Sequence, residues 1–157
     1  MEENEKTIKL VNELKEKNYT LVGSRYFFTG IEGFTPHDYD FVKIVDKIKV
    51  PGKKYLHTHV DGVCINNIQK MEPKEYIKYA KINSPFLVCS ILTPSICEEI
   101  GFNFFRDHKE IVPLLKRLSN RYSYYVVIYN SYLKNGKMKL TNKQRQEAYL
   151  QYLKYRQ

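Results

Sequence analysis

Near residue 70 the hydrophobic period of the chain changes, and that change limits the architectures open to it. Before it, "YTLVGS" (19–24), "DYDFVKIV" (38–45), "KYLHTHV" (54–60) and "GVCINNI" (62–68) are short, β-branched or aromatic runs parted by Gly and Pro, as strands are. Ile8, Val11 and Leu14, with Leu10 beside them, predict an amphipathic helix over 4–17 ahead of these strands, and a short helix is expected from Arg25 into the Gly30 to Gly33 region. Pro51-Gly52 marks a turn, while Asp61-Gly62 allows either a hairpin or one bulged strand.

After Pro73 the spacing becomes helical. Helices are expected from Pro73 to about Ile82 and from Pro94 to a stop at Gly101, whereas periodicity does not decide "PFLVCSIL" (85–92). Ile111, Leu114, Leu115 and Leu118 form one helical stripe, and Tyr122, Tyr125, Val126, Tyr129, Tyr132 and Leu133 another, the period overruling strand-favouring side chains. Thr141 and Gln144 fit a capping box for a last helix with Tyr149, Tyr152, Leu153 and Arg156 on one side. At 157 residues and 43% hydrophobic, the chain reads as one α/β domain: a sheet core over 1–70 and a mainly helical, basic extension over 71–157.

The basic residues are concentrated at the C-terminal end. Residues 111–157 hold ten Lys and Arg against Glu147 alone and so account for the whole net charge of +9. Clustered cations gain by displacing counterions, so RNA or another polyanion is the expected partner, with Lys143, Arg145, Lys154 and Arg156 as candidate contacts. The fourteen tyrosines could stack on bases, but their helical spacing favours packing. The charged start and the lack of any apolar stretch near ~20 residues point to a cytoplasmic chain without a membrane span. Cys64, Cys89 and Cys97 sit in apolar surroundings with no C-x-x-C pair, and read as reduced, buried thiols and not as a zinc site. His57 and His59 share a strand face without an obvious third ligand, and His37 directly precedes Asp38 in a loop.

One constellation carries chemistry. Gly23-Ser24 stands where a strand passes into a helix, a junction at which backbone N–H groups can approach a phosphate. Asp38 and Asp40, two apart on a strand, project to one face and can share Mg²⁺ or Mn²⁺. Val22-Gly23-Ser24, thirteen intervening residues, then Asp38-Tyr39-Asp40-Phe41 resembles the signature of the DNA polymerase β-like nucleotidyltransferase superfamily, particularly its small stand-alone bacterial and phage members. The resemblance spans about the first 65 residues.

It implies a nucleotidyltransferase fold, a small mixed sheet flanked by helices with a helical C-terminal extension, and NMP transfer from an NTP such as ATP to an acceptor hydroxyl on RNA, protein or a small molecule. By the same resemblance Gly23 and Ser24 would hold the β- and γ-phosphates, Arg25 would neutralise them, and Asp38 and Asp40 would bind the metals. A third carboxylate belongs to the pattern; Asp61 is the candidate, although Asp61-Gly62 also reads as a turn and Asp46 is an alternative. Many relatives have Gly about four residues after the Ser, where this chain has Tyr26, Phe27 and Phe28 before Gly30, a departure that bears on the nucleotide pocket. The rival expectation is a protein that kept the fold, lost the chemistry, and binds nucleic acid or an acidic protein as an inhibitor.

Overall fold

A computed structural model describes residues 4–34 and 38–156, so His37 lies outside the described residues, as does the side chain of Cys89. The chain divides into two compact units, residues 1–71 and 72–157. Among the described residues no helix is long and apolar enough to cross a membrane.

The first unit is a mixed α/β arrangement. It comprises α1 (Glu5–Glu16), β1 (Thr20–Val22), α2 (Gly23–Phe28), β2 (Tyr39–Val45), β3 (Tyr55–Val60) and β4 (Val63–Gln69). The four strands form one sheet in the order β1-β2-β4-β3. β2 and β4 are parallel, and the two outer pairings are antiparallel. The segment around Asp61-Gly62 is a hairpin: both residues have positive φ, +49° and +77°, the backbone that a two-residue turn needs to match strand twist. β4 pairs with β2 and leaves β3 at the edge, where His57, Thr58, His59 and Val60 are exposed.

Strand pairing sorts the side chains onto two faces. On one, Leu21, Phe41 and Ile65 lie in a cross-strand row, and Phe41 and Val63 pack with Val11 and Leu14 of α1. Burying each of these four side chains stabilises the fold by roughly 1.5–3 kcal/mol before entropy is counted. The helix stripe runs through Thr7, Val11 and Leu14, and Ile8 is 46% exposed, contrary to the expected stripe. The Thr7 hydroxyl explains the difference, since it donates at 2.6 Å to the Asp61 carbonyl and pins the helix start to the hairpin turn.

The second unit is helical. It contains α3 (Pro73–Asn83), α4 (Pro85–Ile91), α5 (Pro94–Ile100), α6 (Phe104–Asp107), α7 (Val112–Leu115), α8 (Tyr124–Asn135) and α9 (Asn142–Lys154), with 3₁₀ turns at His108–Ile111 and Asn120–Tyr122. The undecided run 85–92 is therefore mostly α4. The stripe from Ile111 to Leu118 is broken into a 3₁₀ turn and the single turn of α7, where Pro113 lacks the N–H a longer helix would use. Tyrosines pack as expected: the Tyr76 hydroxyl donates to Leu87 O and that of Tyr132 to Leu92 O, both at 2.8 Å, and the Tyr124 ring meets Tyr152 edge-on at 5.4 Å. On α9, Tyr149 and Tyr152 are buried with Ala148, whereas Leu153 is 42% exposed.

Candidate metal and phosphate site

The sheet face opposite α1 mixes polar groups with the buried Val22, Val42 and Ile68. Register places Val22, Asp40, Cys64 and His59 in one cross-strand row over β1, β2, β4 and β3, with Val42, Asn66 and His57 in the next. Paired residues project to the same side, so β2, β4 and β3 deliver Asp40, Cys64, Asn66, His57 and His59 to one face, beside the buried Val22 and Val42.

At the β1 to α2 junction, Gly23 has φ +76°, and a Cβ there would stand 2.9 Å from Asp40 Oδ2. Only glycine avoids both the strained backbone and the clash. Ser24 beside it is 6% exposed, and the start of α2 has no side-chain cap bond. The Gly-Ser junction and the Asp-x-Asp segment thus meet in space: Val22 pairs with Asp40, and the Asp40 carboxylate rests against Gly23, where the positive end of a helix favours an anion.

Asp38 precedes β2 and reaches across to the hairpin. Its Oδ2 lies 2.6 Å from His59 Nε2, with the His59 and Asp38 side chains 51% and 45% exposed. Cys64 completes a group with them in which one ligand atom from each lies within 4.8 Å of the others. Burial, first, and then the charge of Asp40, a hydrogen bond to it and the charge of Asp38 push the Cys64 thiol up to about 12. The thiol is therefore held protonated by burial first and by its two acidic neighbours second.

Asn66 anchors the neighbouring row from a fully buried position. Its Nδ2 donates to Phe41 O at 3.0 Å, and its Oδ1 accepts from the Tyr55 hydroxyl at 2.8 Å and meets His57 Nδ1 at 2.7 Å. With Oδ1 as the acceptor, His57 Nδ1 carries the proton. This network ties β3, β4 and β2 together beneath the site.

The other expected site residues have separate positions. Arg25 lays its guanidinium over the Tyr39 ring at 3.6 Å, Tyr39 being the residue between the two aspartates. Asp61 is the first residue of the hairpin turn and is exposed; Asp40 and Asp61 are both absent from the group of Asp38, His59 and Cys64. Its left-handed turn conformation, which Asp tolerates, accounts for an aspartate there without a metal. Asp46 follows the end of β2 and is exposed. On α9, Lys143 and Lys154 are exposed and, three turns apart, fall about 20° from each other around the helix, whereas Arg145 is about 200° from Lys143. Arg156, past the helix end, stacks on Tyr152 at 4.5 Å, so the four cations do not share one face.

The sequence offered no third ligand for His57 and His59, Cys64 read as a reduced, buried thiol, and Asn66 carried no signal. The alternation of His57 and His59 was visible, but their partners depend on the β2 to β4 pairing, which no local pattern specifies. No protein-family model, curated protein or solved structure matches this chain.

Proposed function

We propose that the protein is a metal-dependent nucleotidyltransferase that moves an NMP from an NTP to an acceptor hydroxyl and releases pyrophosphate. The observation that carries this reading is the contact between Gly23 and the Asp40 carboxylate, which brings a glycine-serine strand-to-helix junction against an Asp-x-Asp strand. Asp38 and Asp40 are the oxygen donors suited to Mg²⁺ or Mn²⁺. When bound, such an ion supplies positive charge to the triphosphate and to the attacking oxygen. Gly23, Ser24 and Arg25 at the start of α2 are the candidate phosphate partners. RNA is the acceptor class favoured by the net charge of residues 111–157.

A second reading has its own observation. The group of Asp38, His59 and Cys64 contains one carboxylate, where the resemblance implies three converging acids. A binding protein that retains the sheet and lacks transfer accounts for that, gripping nucleic acid or an acidic protein through its basic end.

Incubating the protein with each α-³²P-labelled NTP, Mg²⁺ or Mn²⁺, and total RNA and protein decides between them. Label is expected in RNA, lost with a chelator and lost in the Asp38→Ala/Asp40→Ala double variant. Transfer that survives in the folded double variant would refute the mechanism, and failure of every acceptor class, small molecules included, would favour the binding protein.

A further inference from the structure

Asp38, His59 and Cys64 are a poor set for magnesium, which takes oxygen donors and keeps several waters. Imidazole and thiolate select instead for borderline and softer ions such as zinc. A tetrahedral zinc ion with bonds of about 2.0–2.3 Å holds its donors about 3.3–3.7 Å apart. The three donors here already fall within 4.8 Å. Two of the three donors stand on paired strands, His59 opposite Cys64, and Asp38 lies two residues before Asp40, the β2 partner of Cys64.

We propose that Asp38, His59 and Cys64 form a binding site for one divalent ion of the zinc class, with three protein donors and an outward position open to water or a phosphate oxygen. The half-buried Cys64 forms the floor, while the exposure of His59 and Asp38 leaves the fourth direction toward solvent. Three protein ligands with an open position distinguish catalytic zinc sites from closed structural ones. Binding releases the Cys64 thiol proton to solvent, and the ion takes the place of the hydrogen bond between His59 Nε2 and Asp38 Oδ2, a neutral imidazole keeping its proton on Nδ1. The site stands apart from nucleotidyl transfer by its donor chemistry, and shares Asp38 with it.

Chelator-stripped full-length protein titrated with Co²⁺ tests the assignment. The expected result is a near-ultraviolet thiolate-to-cobalt charge-transfer band that saturates at one ion per chain and is displaced by Zn²⁺. Cys64→Ser should remove the band, and Cys97→Ser should keep it. His59→Ala, on an exposed edge strand where the fold is not at risk, should weaken Zn²⁺ binding roughly tenfold or more. No band at stoichiometric Co²⁺, a band that survives Cys64→Ser, or a Zn²⁺ affinity indifferent to His59→Ala overturns the site. A cobalt band without label transfer leaves this site standing and removes the transferase reading, whereas Mg²⁺-dependent label transfer without a cobalt band does the reverse.

Discussion

Gly23 and Cys97 show how single residues set the chemistry of their surroundings. Gly23→Ala forces a side chain into a left-handed backbone at a cost of about 1–2 kcal/mol and drives its Cβ to 2.9 Å from Asp40 Oδ2. The expected outcome is a lower urea midpoint and a displaced Asp40, with transfer reduced more than stability; an unchanged midpoint and full activity would mean the contact is incidental. Cys97 is buried in the helical unit, where its thiol donates to Phe102 O at 3.3 Å, and burial, chiefly, pushes it up to about 11. The folded state thus holds that proton more tightly than the unfolded chain does. Its contribution is complete below about 8.5, the ordinary thiol value, and is lost as pH rises toward about 11. The stability difference between wild type and Cys97→Ala, followed by urea denaturation across that range, should therefore shrink with rising pH, and a constant difference would contradict this.

Among the elements, α9 was the most legible and the sheet order the least. Thr141 and Gln144 make both bonds of the capping box, and Gln144 also exchanges two bonds with Asn135 at the end of α8, at 2.6 and 2.9 Å. Thr141→Ala should cost about 1 kcal/mol in chemical denaturation, since it frees a backbone donor of the first turn. Such caps are local and can be read from four residues. The same holds for β1, β2 and α3, whose boundaries follow from Gly23, the "DYDFVKIV" pattern and Pro73. The pairing of β2 with β4 instead of β3 is decided by long-range packing, and with it the company kept by His59 and Cys64. Ile8 was misplaced for a related reason, because a hydroxyl at Thr7 had a distant carbonyl to satisfy. Asn66→Leu tests how far the polar face depends on one buried amide: it strands the Tyr55 hydroxyl and a His57 nitrogen, and a loss of roughly 1–3 kcal/mol in thermal or urea melts is expected.

At the scale of the whole molecule, charge and chain order matter more than any one contact. The positive charge gathered in residues 111–157 predicts RNA binding that weakens steeply with salt, at a slope of about −0.7 per phosphate neutralised on single strands. Because Lys143 and Lys154 share a side of α9, replacing that pair by Gln should flatten the slope more than replacing Arg145 and Arg156; equal effects in filter-binding titrations would mean that α9 does not present a single face to the polyanion. The hairpin turn has a consequence in time. His59 and Cys64 lie on adjacent strands joined by two residues, so they can come together within the microseconds a hairpin needs, whereas Asp38 arrives only when β2 docks along β4. A newly made chain therefore offers an ion two donors before it offers three. The proposed ion site is completed by the finished sheet and not by the hairpin alone.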